Sequence, residues 1–185
     1  MPLIKQGRWI DDPFVQVADG APLPAEGPII VSLARWQEEQ GLIAPRNGPI
    51  GVRLKPSDPV GQIAADLGRL DVVALEFPKF NDGRAMSQAR LLRERHGYRG
   101  EIRATGRVLR DLLLFMHRCG IDAFKVADDI DAEVVAKSLA AFSHYYQPAV
   151  DDGKLSVLTL RQGSAKPAAV AASVSRTAAV CDKRS

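Results

Sequence analysis

The chain has 185 residues, of which 46% are hydrophobic, and its formal net charge is +3, which suits one globular domain with a sizeable core. No apolar run approaches the roughly 20 residues that cross a bilayer, and the first residues lack the basic-then-apolar pattern of a signal peptide. The cysteines, Cys119 and Cys181, lie far apart in unlike contexts, so we expect no disulfide framework and a reducing cytoplasmic location.

In chain order, residues 1–28 are predicted to form an irregular N-terminal arm, because Asp-Pro and Gly-Ala-Pro turn signals interrupt them. Strands and helices are predicted to alternate from residue 29 to about residue 161. Strands are predicted at 29–33, 50–55, 71–77, 101–105, 121–126 and 155–160, and helices at 34–40, 58–67, 82–96 and 107–119. A last helix is predicted to follow Asp128, Asp129 or Asp131 and to end at about Tyr145. Residues 162–185 lack a packing period and are predicted to form a disordered, basic tail.

This alternation predicts an α/β domain over residues 29–161, with a mostly parallel sheet and covering helices. The run at 71–77 is typical of a strand that is covered on both faces. About five βα units are evident, whereas a closed barrel needs eight. We therefore expect an open three-layer arrangement, and the alternative is a partial or degenerate βα barrel.

The basic residues concentrate in one stretch. Residues 77–119 contain nine arginines and one lysine against four acids, so the stretch carries +6 and the rest of the chain sums to −3. A local field of this kind indicates an anionic ligand or partner. Several of these arginines, Arg93 among them, fall on predicted helix surfaces and are expected to be solvated.

Charged residues also mark the ends of the predicted strands, which is where ligands bind in parallel α/β folds. Lys55, Glu76, Arg103 and Lys125 lie at or one step before such an end. Burying Glu76 or Arg103 alone is expensive, so we predict that they pair across neighbouring strands. The pair is either structural or part of a site in which Glu76 is an acid or base and Arg103 an anion clamp.

Two predicted helix starts fall in the basic stretch, at 81–84 and at 105–107. Free backbone N–H groups and the helix dipole favour an anion at such positions, and arginine grips oxyanions through two hydrogen bonds. The alternative is that Asp82 and Thr105 are only caps and the glycines only turns. The predicted anion-binding residues are Arg84, Arg103, Thr105, Gly106, Arg107 and Lys125.

Several function classes lack sequence support. The chain shows no glycine-rich dinucleotide motif, no P-loop and no cysteine spacing for a metal or an iron–sulfur cluster, so we expect no cofactor. A nucleic-acid role is suggested by the pI near 9.0. We expect no such role, because few aromatic residues interleave with the basic ones.

The sequence resembles a bacterial family, domain-of-unknown-function family 934, over roughly residues 48–147, and the resemblance is dense from Leu75 to Phe124. The segments that carry the resemblance are Glu76-Phe-Pro, Asp82-Gly-Arg84, Gly97-Tyr98, Gly100-Glu-Ile-Arg103-Ala, Arg118-Cys-Gly120 and Asp122-Ala-Phe124. Genes of that family lie beside those of sulfite reductase and other sulfate-assimilation proteins. The resemblance therefore implies a role in sulfite reduction, with sulfite reductase or a neighbouring enzyme as partner and a small oxyanion as ligand.

Sulfite reduction itself needs sirohaem and an iron–sulfur cluster, for which this sequence offers no ligand pattern. We therefore expect an accessory protein of assimilatory sulfite reduction. The alternative is a small α/β enzyme that acts on an anionic metabolite.

Overall fold

The computed structural model describes residues 3–127, 130–142 and 144–150. Eight strands are found there: β1 (Leu3–Lys5), β2 (Arg8–Ile10), β3 (Val15–Gln16), β4 (Ile29–Ser32), β5 (Ile50–Leu54), β6 (Val72–Phe77), β7 (Glu101–Gly106) and β8 (Ala123–Lys125). They form one sheet in the order β2-β1-β8-β7-β6-β5-β4-β3. Strands β3 to β8 run parallel to one another, whereas β1 is antiparallel to both β2 and β8.

The α-helices of the described residues are α1 (Leu33–Ile43), α2 (Arg84–Arg90), α3 (Leu113–Arg118) and α4 (Ala132–Leu139). A π-helical turn, Leu91–Arg95, extends α2, and a 3₁₀ turn, Arg110–Leu112, precedes α3. The helix predicted at 58–67 is replaced by two 3₁₀ turns, Val60–Ile63 and Leu67–Arg69. Glycines within both turns lower the helix propensity of this segment.

The α/β class and the strands predicted between residues 29 and 126 are confirmed, but the layers differ from the expectation. The main core lies between one face of the sheet and the helices, and it includes Trp36 of α1, Leu92 beside α2 and Met116 of α3. The other face, here called the inner face, carries only a small cluster of Ile30, Val72 and Ala74.

The open three-layer arrangement is therefore wrong, and the sheet curls into a half-barrel. Sheet positions alternate between faces, and the inner-face positions hold charged and small side chains among the apolar ones. A covering helix would have to bury those charges, at a high cost in free energy.

The N-terminal stretch, predicted to be irregular, contributes three strands. Gln6 and Gly7 have positive φ values of 52° and 72°, and such a pair makes a tight hairpin turn between β1 and β2. Ile4 of β1 is fully buried in the main core. Phe14, just before β3, packs on the inner-face cluster, so the sheet continues on both sides of the predicted units.

The strand predicted at 155–160 and the tail predicted at 162–185 lie outside the described residues. Within those residues, no helix has both the length and the apolar composition needed to cross a membrane.

Candidate functional site

Side chains of the inner face line up in rows across the sheet, because the strands pair in register. The row through the middle of the sheet is Ser32, Arg53, Ala74, Arg103 and Ala123. The next row towards the carboxyl ends contains Glu76 opposite Thr105, and Lys125 lies two residues beyond Ala123. Charged groups from β5 to β8 thus share one face at the edge where ligands bind in such folds.

Arg103 is the centre of an ion-pair network on this face. Its side chain is only 1% exposed. Its Nη1 lies 2.7 Å from Oδ1 of Asp12, and its Nε and Nη2 each lie 2.8 Å from Oε1 of Glu101. The ring of Phe14 lies 5.3 Å from the guanidinium carbon, so an aromatic face covers a cation that already has two carboxylate partners.

Two lysines complete the network. Lys5 Nζ lies 2.8 Å from Oε2 of Glu101, and Lys125 Nζ lies 3.3 Å from Oδ2 of Asp12. Burial raises the pKa of Asp12, but the hydrogen bond and charge of Arg103 and further hydrogen bonds outweigh it, so the net pKa is lowered. The network therefore ties the N-terminal residues to β7 and β8 through charges.

The predicted pair of Glu76 with Arg103 is wrong. Arg103 lies opposite Ala74, whereas Glu76 lies opposite Thr105, so the two charged residues are diagonal to each other. Long side chains can bridge such a diagonal, but the Arg103 guanidinium pairs with Asp12 and Glu101 instead. Among the described residues, no hydrogen bond or ion pair engages the Glu76 carboxylate, so it remains an unpaired acid on the inner face.

Thr105, Gly106 and Arg107 do not begin a helix. The buried Thr105 hydroxyl donates to the carbonyl of Leu75 at 3.1 Å, and the Arg107 N–H donates to the carbonyl of Phe77 at 2.7 Å. Gly106 has a φ of 92° and a Cβ there would lie 2.6 Å from the Phe77 oxygen. The helical turn starts only at Arg110, so the helix N-terminus predicted at 105–107 is wrong.

Arg84 does lie at the start of α2, but it is engaged by Asp82. Its Nη2 lies 2.7 Å from Oδ2 and its Nε 2.9 Å from Oδ1 of that carboxylate, which also accepts the Arg84 N–H. The hydrogen bond from Arg84 lowers the pKa of Asp82 to about 2. An exogenous anion at Arg84 would compete with this carboxylate.

Arg93, expected to be solvated, is a structural anchor. It donates to the carbonyls of Tyr98 at 2.6 Å, Gly100 at 2.8 Å and Gly120 at 3.0 Å, and it pairs with Asp122. These groups lie at the amino ends of β7 and β8, opposite to the candidate site. Arg93 therefore fixes the end of the α2 segment to the sheet.

Arg53 was not among the site residues predicted from the sequence. It lies on the inner face between the buried Val52 and Leu54, and it lines two clefts of about 180 and 330 Å³ at the carboxyl ends of β4 and β5. Lys55 lines the smaller of them. The signal available was the position of an arginine inside an apolar strand two residues before Lys55, a spacing that places both on one face.

These features define an α/β half-barrel with a charged inner face. The chain belongs to DUF934, a bacterial protein family of unknown function, whose profile matches residues 51–156. The match spans β5 to β8 and includes Arg53, Glu76 and Arg103, while the partners Asp12 and Lys5 lie before it. No curated protein matches the chain.

In the described ranges, no group of three or more His, Cys, Asp or Glu residues is arranged to hold a metal ion.

Proposed function

We propose that this protein is a cytoplasmic accessory protein of assimilatory sulfite reduction, within sulfate assimilation and cysteine biosynthesis. It acts by binding a small oxyanion or by docking to sulfite reductase or a neighbouring enzyme. The pathway rests on the family resemblance. The observation that carries the accessory role is the occupation of Arg103, the strongest candidate clamp, by the protein's own Glu101 and Asp12.

A docking role is supported by the loops that follow β6 and β7. Phe80 is 62% exposed and Leu109 is 39% exposed. Their loops are neighbours, because the N–H of Arg107 bonds to the carbonyl of Phe77. Exposed apolar side chains mark interaction sites when they cluster. The cations Lys79, Arg107 and Arg110 surround them in sequence, which favours an acidic protein partner.

The pathway assignment is tested by deleting the gene and comparing growth on sulfate with growth on cysteine. Slow growth on sulfate, restored by cysteine, is expected. Unchanged growth on sulfate as the sole sulfur source contradicts the assignment.

The docking surface is tested by capture of purified sulfite reductase on the immobilised protein. We expect the Phe80→Ser and Leu109→Ser variants to lose capture. Leu42→Ser is the matched control, because Leu42 is 70% exposed on α1, outside these loops. Equal capture by Phe80→Ser and Leu42→Ser removes the proposed surface.

A second candidate is a small α/β enzyme that acts on an anionic metabolite, with Glu76 as acid or base. The observation that favours it is the unpaired Glu76 carboxylate near the carboxyl ends of the parallel strands, where active sites of related architecture lie. Arg103 could clamp a substrate only by releasing a carboxylate partner. Electron density for sulfite, sulfate or phosphate beside Glu76 in soaked crystals supports the enzyme, and the absence of such density beside Glu76 supports the docking protein.

A further inference from the structure

The carboxyl ends of β4 and β5 enclose two adjoining clefts. The smaller has a volume of about 180 Å³ and is lined by Arg53, Lys55 and Asp58, among others. The larger has a volume of about 330 Å³, and both are lined by Asp19, Ser32 and Arg53. A group of a few heavy atoms fits the smaller cleft, and the larger one leaves room for an attached organic part.

Two cations of the smaller cleft have no partner among the described residues. Neither the half-buried Arg53 guanidinium nor the exposed Lys55 ammonium makes a hydrogen bond or ion pair with any described residue. Most other cations of the inner face, such as Arg103 and Lys125, are paired. Arg53 and Lys55 lie two residues apart on the same face, which places their Cα atoms roughly 7 Å from each other along the strand.

The acids of the cleft are already engaged. Asp58 Oδ2 accepts the Lys55 N–H at 2.8 Å, and Asp19 Oδ1 accepts the Ser32 hydroxyl at 2.6 Å. Each therefore fixes a wall of the cleft. Asp19 keeps further acceptor capacity for a ligand that carries a hydroxyl or an ammonium group.

The backbone around the two cations is held in place by buried groups. Gln88, only 5% exposed, donates from Nε2 to the carbonyls of Lys55 and Asp58, at 2.8 Å each. Arg53 is paired in register with Ser32 on one side and Ala74 on the other. A ligand would thus meet two cations whose main chain is already ordered, which reduces the entropy cost of binding.

We propose that Arg53 and Lys55 form a binding site for a small oxyanion, either a free inorganic ion or the anionic group of a small organic molecule. Arg53 supplies a planar donor pair and Lys55 a second positive charge. The two cations carry the site, and the first N–H groups of α1, at the Leu33 and Ala34 that line the smaller cleft, add to it. This site is separate from the residues predicted around β6 and β7, and it does not depend on the pathway assignment.

The test is isothermal titration calorimetry of the full chain at fixed chloride with three probes: inorganic sulfate, inorganic phosphate and phosphoethanolamine. The wild type is expected to bind at least one probe with a millimolar or tighter Kd. Arg53→Met and Lys55→Met should each weaken binding about tenfold or more, because each removes a charged hydrogen-bonding group. Lys55 is exposed, so Lys55→Met keeps the test decisive if Arg53→Met does not fold.

The matched controls are Arg69→Met and Lys137→Met, which remove exposed cations that line neither cleft. They should bind like the wild type. Tighter binding of phosphoethanolamine than of phosphate, lost in Asp19→Asn, identifies an organic ligand, and equal binding identifies a free ion. Absence of binding by the wild type, or equal binding by Lys55→Met and Arg69→Met, overturns the site.

Discussion

Arg103 joins parts of the chain that are far apart in sequence. It bonds to Glu101 on its own strand and to Asp12, which lies 91 positions earlier. We expect Arg103→Met to lower the free energy of unfolding by on the order of 3 kcal/mol, because two carboxylates lose their shared buried cation. Urea denaturation measures the loss. Arg107→Met is the control, since its guanidinium is exposed and its removal should cost under about 0.5 kcal/mol; equal losses would contradict the network.

The contribution of this network to stability depends on pH through the Asp12 carboxylate. Its pKa is lowered from the usual value of an aspartate despite the opposing effect of burial, because Arg103 and Lys125 favour the charged carboxylate. A group with a lowered folded-state pKa stabilises the fold above its unfolded pKa and loses that contribution as the pH falls through the folded value. We therefore expect Asp12→Asn to be less stable than the wild type at pH 7, with a difference that shrinks below about pH 4.

Urea denaturation at several pH values between neutrality and acid measures this difference. Asp11→Asn removes an adjacent, exposed carboxylate and should leave the pH dependence unchanged. A difference between Asp12→Asn and the wild type that stays constant with pH would show that the charge of Asp12 does not matter.

The partners of Arg103 and Arg93 could be predicted only in part from the sequence. A buried Arg103 between apolar neighbours predicted that a partner exists, and this expectation is confirmed. The spacing could have pointed to Glu101, which lies two residues away on the same face, but not to Asp12, which comes from a stretch without a strong period. The structural role of Arg93 could not be predicted for a related reason: its hydrogen bonds go to backbone carbonyls of Tyr98, Gly100 and Gly120, which no side-chain pattern reveals.

At the scale of elements, the strands from β4 to β8 were predictable because each is an apolar run bounded by turn residues. The helices were less predictable from the sequence. The pattern at 107–119 has helical spacing from its first residue, but the main chain turns at Gly106 and its neighbours before the helix begins. Tertiary pairing with β6 prevails there over local propensity, because the Phe77 carbonyl accepts a hydrogen bond from the Arg107 N–H.

Gly106 is accordingly the residue on which the end of β7 depends. Its φ of 92° and the Phe77 oxygen 2.6 Å from a Cβ position both exclude a side chain. We expect Gly106→Ala to lower the free energy of unfolding by about 1–3 kcal/mol. Thermal and urea unfolding measure the effect. Gly68→Ala, where a Cβ meets nothing within 4 Å, is the control, and a Gly106→Ala variant as stable as Gly68→Ala would refute the argument.

At the scale of the whole molecule, the half-barrel depends on a hairpin that the sequence did not reveal. Strands β1 and β2 have three residues each, too few to show a period of two. Their place beside β8 also requires a pairing between opposite ends of the described chain. Such long-range pairing is specified by the assembled sheet, through the burial of Ile4 and the Lys5–Glu101 ion pair, and not by local residue patterns.

Removal of residues 1–10 should therefore destabilise the whole sheet. The deletion removes the buried Ile4 and the Lys5 partner of Glu101, and it leaves the backbone of β8 as an unprotected edge that favours self-association. We expect a lower Tm by circular dichroism and concentration-dependent oligomers by light scattering. Trp9→Ser is the control, because Trp9 lies on β2 and is 44% exposed, so this variant should keep the wild-type association state. A truncated chain that stays monomeric with an unchanged Tm would show that the sheet from β3 to β8 is stable without the hairpin.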